Sequence, residues 1–381
     1  MNPPLRLVVS MDDQRLKVLQ GDQCVREFVI STALKGMGFT KDSYRTPTGR
    51  FRICAKIGDG EELGTIFKSR IPVGLWQPGG NPEDDLVLTR ILQLEGMDAD
   101  NQNTRERCVY FHGTNREELL GERSSHGCIR LANAEMIEFF DMVSEGAAVE
   151  ILPATRRRGK LLFLACDSTL SAIEGLHELA RLRGDDVFAR VSDLGNMAME
   201  SLIPISDALE QAVSLIRPDR GMCEKVAACY VRSIVPGAVE FIRQAEQAGW
   251  LPVILSGGFA PVIAPLARVL GIGHVEAVPL FFQADGSYAD YGREYPTTRN
   301  FGKNEVIREW VRAMLPERTV MMGDGLADLE TSPDVDLFIG FTGVVDHPCL
   351  VNGCDSRILH LVDGANLLNV ISGNHTGGQT A

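Results

Sequence analysis

Between His112 and Leu131 the chain reads HGTNREELLGERSSHGCIRL, which places two histidines within sixteen residues of one cysteine in a protein that has only seven histidines. That set suits acyl transfer. A thiol needs a base to become a nucleophile at neutral pH, and the oxyanion it creates needs hydrogen-bond donors. Cys128 is the candidate nucleophile and His112, ending the short apolar run CVYFHGT, the candidate base. Gly127 allows close backbone approach, and the amides of Gly127 and Cys128 are candidate oxyanion donors. His126 and Arg130 flank the thiol and are expected to favour its anion, while Ser125 is expected to hydrogen-bond within the turn.

A second set begins at KLLFLACDSTLSAIEG, Lys160–Gly175, where an apolar run enters Asp-Ser-Thr-Leu as a buried strand enters a catalytic turn. Further on come LSGGF with Ser256, then Lys303, then GDGLADLE with Asp324 and Asp328.

Two kinds of element must position these residues. Residues 1–152 read as β-rich: LRLVVSMDDQRLKVLQGDQCVREFVIST alternates as three strands with turns at Asp12-Asp13 and Gly21-Asp22, and TPTGRFRICAKI and DLVLTRILQLEG add more. One helix is expected in NAEMIEFFDMVSEG, with Asn133 as its cap, Glu135 near its positive end, and Met136, Phe139, Phe140 and Val143 on one face. Residues 153–159 read as a linker. From 160 to 368 the pattern becomes strand then helix, with buried strands at KLLFLA, WLPVILSGG, RTVMMGDG and DVDLFIGFTG and helices in VPGAVEFIRQAEQAG and NEVIREWVRAML. That predicts a parallel sheet covered on both faces, with a helical insertion at about 176–233 as a cap. Residues 369–381 are expected to be a disordered tail.

The totals set limits. At 381 residues two domains are expected. A net charge of −13 argues against a nucleic-acid partner, and Arg156-Arg157-Arg158 reads as a solvated hinge. No stretch is apolar enough to span a membrane, and MNPPLRLVVS lacks the features of a signal peptide, so a cytoplasmic location is expected. Nine scattered cysteines fit free thiols, and His347, Cys349 and Cys354 lack a fourth ligand nearby, so no zinc site is expected.

The motif HGT…SSHGCIRL, with TPTGRF (Thr46–Phe51) upstream, resembles the signature of the L,D-transpeptidase (YkuD) family over residues 5 to about 152. The resemblance implies a β-sandwich and a cysteine acyl-enzyme with no cofactor. Cys128 falls at the nucleophile position and His112 at the base position, Ser125, His126, Gly127 and Arg130 complete the motif, and the Gly113 carbonyl is expected to orient an imidazole. It also implies peptidoglycan stem peptides or muropeptides as partners, cut before the terminal D-alanine. The stretches LVVSMDDQRL, AKIGDGEELG and LTRILQLEG are similar to short cytoplasmic members that look like L,D-carboxypeptidases of murein recycling, so hydrolysis is expected. Cross-linking or exchange of D-amino acids is the alternative.

DSTLSAIEG, LSGGF, Lys303 and GDGLADLE resemble, in order and spacing, the haloacid dehalogenase-type phosphatases, and more narrowly phosphoserine phosphatase, over residues 160 to about 365. The resemblance implies a Rossmann-like α/β fold and magnesium. Asp167 matches the acid–base, Ser256 and Lys303 the phosphate binders, Asp324 and Asp328 the metal-side carboxylates (Asp324 a possible magnesium ligand), and Glu174 the reader of the substrate ammonium. The nucleophilic aspartate is absent: Ala165 stands there. Alternation along a strand turns Cys166 away from that site. The cap arginine for the substrate carboxylate falls near Ala212, with Arg217 as a substitute. A pseudophosphatase is expected, with a working bifunctional enzyme and a non-enzymatic binding protein as the competing readings.

Overall fold

The computed structural model describes residues 3–77, 85–157, 159–200 and 202–371. The chain divides into two compact units, Met1–Arg157 with Trp310–Leu315, and Arg158–Glu309 with Pro316–Ala381.

In the first unit β1 (Leu5–Ser10), β2 (Arg15–Gln20) and β3 (Gln23–Val29) form the predicted meander. They are followed by β4 (Gly49–Ile57), β5 (Thr65–Lys68), β6 (Ile71–Leu75), β7 (Val87–Gly96), β8 (Tyr110–Gly113), β9 (Ile129–Leu131), α1 (Asn133–Met142) and β10 (Ala148–Leu152). The order β3-β2-β1-β10-β4-β7-β5-β6 makes one continuous sheet that branches at β7, where β8 and then β9 attach. Bridges from Ser31 to Arg130 and from Ala33 to Ser125 tie the β9 end of that branch to the chain just after β3. The last strand, β10, enters the middle of the sheet, parallel to β1 and antiparallel to β4. Leu7, Val9, Phe28, Phe51, Phe111, Ile129, Phe139 and Ile151 share one apolar core, so β8, β9 and α1 pack on the same interior as the meander.

Asn133 does not cap α1. Ala132 is the N-cap residue, and the Asn133 amide accepts from Thr89 Oγ1 at 2.6 Å and donates to Thr114 O at 2.7 Å. Glu135 lies in the first turn as expected, and Glu117 adds a second negative charge at the helix start, accepting from Asn133 N at 2.7 Å. Burial explains the difference: Asn133 sits among the buried Thr89 and Thr114, which compete for its amide more strongly than its own backbone.

The second unit carries β11 (Lys160–Leu164), α2 (Gly175–Arg181), α3 (Asp185–Met199), α4 (Ile205–Ile216), α5 (Arg220–Arg232), α6 (Ala238–Gln247), β12 (Trp250–Phe259), α7 (Ala260–Leu270), β13 (His274–Val278), β14 (Leu280–Phe282), β15 (Tyr288–Tyr291), α8 (Gly302–Met314), β16 (Arg318–Gly323), α9 (Leu326–Leu329), β17 (Leu337–Phe341), α10 (Leu350–Gly353), β18 (Ser356–Ile358) and α11 (Leu361–Ile371). Helices α2–α5 occupy the stretch expected to form a cap. Apart from the β14–β15 hairpin, the strands are parallel in the order β13-β12-β11-β16-β17-β18. Chain order reverses between β11 and β16, and in such sheets the crevice at the carboxyl ends of the strands beside the reversal receives the ligand. Residues 165–167 follow β11 and Asp324 follows β16, so topology alone brings the two halves of the second motif together.

Residues 369–371 end α11 rather than belonging to a tail, because Leu361, Ala365 and Leu368 anchor that helix in the core. The stretch SGNHTGGQTA and Arg158 lie outside the described residues. Arg156 is not simply solvated, since it donates to Asp13 at 2.9 Å. Among the described residues no helix is long and apolar enough to cross a membrane.

Candidate functional site

Strands β8 and β9 run parallel, with Phe111 opposite Ile129, His112 opposite Arg130 and Gly113 opposite Leu131. Side chains alternate across a strand, so Phe111, Ile129 and Leu131 face the core while Tyr110, His112, Cys128 and Arg130 share the other face. The candidate base and the candidate nucleophile therefore share a face because their neighbours are apolar. Cys128 packs there against Phe67, Ile91 and Tyr110.

The turn before Cys128 is tied down by short bonds. Ser125 Oγ donates to Cys128 O at 2.6 Å and accepts from Gly127 N at 3.2 Å. The Gly127 amide is thereby spent inside the turn and is not free to serve as the oxyanion donor expected of it. Gly127 has φ +117°, a conformation that L side chains rarely adopt, and a Cβ there would sit 3.3 Å from Arg45 O. Thr46, from TPTGRF, donates to Gly127 O at 3.0 Å and accepts from Ala33 N at 3.0 Å, which links the upstream motif to the cysteine turn.

The His112 Nδ1 lies 2.7 Å from Gly113 O. A carbonyl only accepts, so Nδ1 carries the hydrogen and Nε2 holds the lone pair. Gly113 has no room for a side chain, because a Cβ would lie 2.3 Å from Asn133 Oδ1. Burial holds the His112 pKa below its ordinary value, against the opposing pull of the Gly113 carbonyl and of Asp85. The imidazole is neutral, hence a base, at neutral pH.

Asp85 is the residue that the motif did not reveal. It sits 3.1 Å from His126 Nδ1 and 3.1 Å from Arg130 Nη1, and Arg130 also donates to Ser124 Oγ at 2.8 Å. Burial pushes the Asp85 carboxyl up, but the His126 hydrogen bond and the Arg130 guanidinium outweigh it and leave the pKa lowered. His126 is exposed and edge-on to Tyr44, with ring centroids 5.6 Å apart. The two side chains expected to favour the thiolate are thus paired with a carboxylate. Burial pushes the Cys128 thiol up to about 12, with Asp85 adding to the rise and Arg130 only partly opposing it. The thiol donates to Cys108 O at 3.3 Å. The resting pair is therefore thiol and neutral imidazole rather than thiolate and imidazolium. With a thiol pKa of about 12, alkylation of Cys128 by iodoacetamide in the absence of peptide should rise about tenfold per pH unit from pH 7 to 10. A rate already level at pH 7, read by mass spectrometry of the peptide containing Cys128, would show a preformed ion pair instead.

In the second unit Ala165 ends the strand at the crevice, and its amide donates to Met322 O at 2.9 Å. Cys166 lies with Leu162 and Leu164 in the core, on the face away from the crevice. Asp167 accepts from Gly175 N at 3.2 Å and from the Tyr230 hydroxyl at 2.5 Å. Burial, reinforced by Glu174, lifts Asp167 to about 7. Asp324 is lifted to about 7 as well, by burial and then by Asp328. Glu174 accepts from Ser168 Oγ at 2.6 Å, Ser256 Oγ accepts from Gly258 N at 2.9 Å, and Lys303 pairs with Asp328 at 2.5 Å. Burial pulls the Lys303 pKa down, but Asp328 and Asp324 more than compensate, so it stays charged. Thr169, which donates to Asp324 at 3.0 Å, and Tyr230 belong to this cluster though the motifs did not mark them.

A cavity of about 30 Å³ between Tyr230, Gly175, Leu209 and Gly257–Phe259 lies beside this cluster. From α4 it is Leu209 that lines it, while Ala212, one turn on, is buried in the core. Arg217 is exposed, lies over the Tyr288 ring at 5.7 Å, and does not line that cavity.

The donor set does not suit magnesium. Ala165 offers a methyl group where a carboxylate would be needed. Asp328 spends one oxygen on Lys303 and the other on the amides of Asp324 and Gly325. Asp324 accepts from Thr169 Oγ1 and has His347 Nε2 3.9 Å from its other oxygen, and among the described residues no three acidic, histidine or cysteine side chains gather as ligands.

Residues 4–151 match the L,D-transpeptidase catalytic domain family (YkuD), and residues 162–332 match the haloacid dehalogenase-like hydrolases. Over 181 residues the chain is 35% identical to a phosphoserine phosphatase of Mus musculus, covering 47% of this chain and 80% of that protein. It is 33% identical over 181 residues to the phosphoserine phosphatase of Homo sapiens, with the same coverage. A crystal structure of a phosphoserine phosphohydrolase-like protein from Francisella tularensis subsp. tularensis SCHU S4 shares the fold, at TM-score 0.50 and 19% identity, over 55% of this chain and 99% of that one. The second unit, with Asp167, Lys303 and Asp324 gathered at the crevice of an α/β sheet, makes the chain a member of the phosphoserine phosphatase family of haloacid dehalogenase-like hydrolases, preceded in sequence by an L,D-transpeptidase catalytic domain.

Proposed function

We propose that the protein is an L,D-carboxypeptidase of soluble muropeptides whose second unit is a phosphatase scaffold without turnover. The observation that carries the first half is the neutral His112, locked to Gly113 O at 2.7 Å with its basic Nε2 on the face that carries Cys128. His112 Nε2 takes the thiol proton as sulfur attacks the carbonyl carbon before the terminal D-alanine. The proton passes to the departing amine, the C–N bond breaks, and a thioester remains on Cys128. Water then gives its proton to His112 and attacks the thioester, and the thiol is restored with release of the tripeptide.

Water is favoured as acceptor by the likeness of LVVSMDDQRL, AKIGDGEELG and LTRILQLEG to short members that hydrolyse soluble peptides, and by the solvent-open cleft beside Cys108. Mass spectrometry of the protein with a disaccharide-free tetrapeptide, with and without an added D-amino acid, tests it. Tripeptide and D-alanine are expected as the main products in both mixtures. A majority of cross-linked dimer or exchanged tetrapeptide would establish the transpeptidase alternative.

The second half rests on Ala165, which can neither form an acyl-phosphate nor bind a metal. We read the domain as a sensor or stabilising partner. The kinship to phosphoserine phosphatases keeps a bifunctional enzyme as the rival reading, and an assay of phosphate release decides between them.

A further inference from the structure

We propose that Cys108 and Cys128 join in a reversible disulfide that switches the acyl-transfer site off, with Cys108 as the thiol that meets the oxidant. The inference rests on the reading of Cys128 as the nucleophile and adds its regulation.

The fold brings the two residues together. Strands β8 and β9 are parallel neighbours with Phe111 opposite Ile129, so Tyr110 lies level with Cys128, and Cys108 stands two residues before it at the entry to β8. The Cys128 thiol donates to Cys108 O at 3.3 Å. Standard bond lengths keep the oxygen and the sulfur of one cysteine within about 5 Å of each other, so the two sulfurs lie within roughly 8 Å. Tyr110 meets both residues: its hydroxyl shares a hydrogen bond with the Cys108 thiol, and Cys128 packs in the cluster that Tyr110 forms with Phe67 and Ile91. Rotation of the Cys108 side chain closes the remaining gap. That side chain is exposed, and its contacts, Glu106 O at 3.7 Å and the Tyr110 hydroxyl, are the weak hydrogen bonds of a thiol.

Three features assign the first reaction to Cys108. It is exposed and lines an open cleft of about 700 Å³, whereas Cys128 is only partly exposed. Burial also pushes the Cys128 thiol up to about 12, which leaves little thiolate to meet an oxidant directly. Cys108 is held at φ +55°, a left-handed conformation that glycine or asparagine adopts at less cost. A side chain kept at such an angle beside a reactive residue points to a use for that side chain.

The oxidant is a small soluble disulfide such as glutathione disulfide. Cys108, deprotonated, attacks one of its sulfurs; the S–S bond breaks, and one glutathione leaves and takes up a proton. His112 Nε2 then removes the Cys128 proton, as it would in acyl transfer. The Cys128 sulfur attacks the Cys108 sulfur of the mixed disulfide, and the second glutathione leaves with that proton. Two protein thiols are oxidised and one glutathione disulfide is reduced to two thiols. A Cys128 sulfur bound in this way cannot attack a peptide.

The test treats the full chain with glutathione disulfide and reads linkage and activity together. Trypsin releases residues 108–116 and 124–130, because arginines stand at 107, 116, 123 and 130. Without reduction the two peptides are expected in mass spectra as one species, two hydrogens lighter than their sum. Release of D-alanine from a tetrapeptide should fall at least about tenfold, and dithiothreitol should restore it to within about twofold. Cys108→Ser keeps the carbonyl and should stay within about twofold of untreated wild type both before and after oxidation. In Cys128→Ala, glutathione should remain on Cys108. Equal loss of activity in Cys108→Ser and wild type would show direct capping of Cys128 and overturn the inference. Unlinked peptides with full activity, or Cys108 joined to another cysteine, would overturn it too. No D-alanine release from the reduced protein would overturn the reading of the cysteine site, and the switching role with it, while the linked peptides would still report the bond itself.

Discussion

Cys128→Ala is expected to release no D-alanine from a tetrapeptide, with turnover at least about ten-thousandfold below wild type and an unchanged melting temperature. The thiol is partly exposed and donates to Cys108 O at 3.3 Å, so its loss removes chemistry and little packing. Cys128→Ser should fare little better: a hydroxyl is far less acidic than a thiol, and the shorter C–O bond draws the nucleophilic atom back from the position the sulfur holds. His112→Asn should cost about a hundredfold to ten-thousandfold. Asparagine can still donate to Gly113 O, where Nδ1 now does at 2.7 Å, but it offers no basic nitrogen. Its melting temperature should therefore fall less than that of His112→Ala, which also leaves a cavity at a buried position. Wild-type turnover in Cys128→Ala would end the acyl-enzyme mechanism.

The second large effect is an absence of turnover. With phosphoserine or an aryl phosphate and added magnesium, the protein is expected to release phosphate at the uncatalysed rate. Ala165→Asp restores a nucleophile and a metal ligand in one step, so aryl phosphate hydrolysis should appear in that variant. Phosphoserine should remain a poor substrate even then. The Tyr230 hydroxyl occupies Asp167, the cavity beside it is about 30 Å³, room for one water, and α4 turns Leu209 into it in place of a cation. Clear phosphate release by the unaltered protein would establish the bifunctional reading.

Much of this was legible because local pattern and chemistry agreed. Cys128, His112 and Gly127 lie in one motif, and the apolar neighbours Phe111, Ile129 and Leu131 disclose by alternation which face the reactive side chains take. Ala165 and Cys166 could be placed by the same period of two. Asp85 could not, because it ends GGNPEDD, a stretch whose composition signals only a loop, and its partners are 41 and 45 residues away in His126 and Arg130. Opposite charge can be read from a sequence, but pairing across such a separation cannot. The β5–β6 hairpin was hidden for a related reason: its turn is Ser69-Arg70, without the glycine or asparagine that announces such turns. In α1, Asn133 had the right type and position for a cap, and buried partners from β7 and the loop after β8 claimed it.

Strand β9 has neighbours on both sides. Its Ile129 and Leu131 pair with β8, while Arg130 N donates to Ser31 O at 2.9 Å and Arg130 O accepts from Ser31 N at 3.0 Å. Among the described residues β9 itself therefore keeps no backbone edge for a peptide to extend as an added strand. Recognition by β-augmentation, in which main-chain bonds supply affinity whatever the side chains are, is thus closed to β9. A peptide drawn to Cys128 would have to be held beside β9 through its side chains and terminal groups rather than by its main chain.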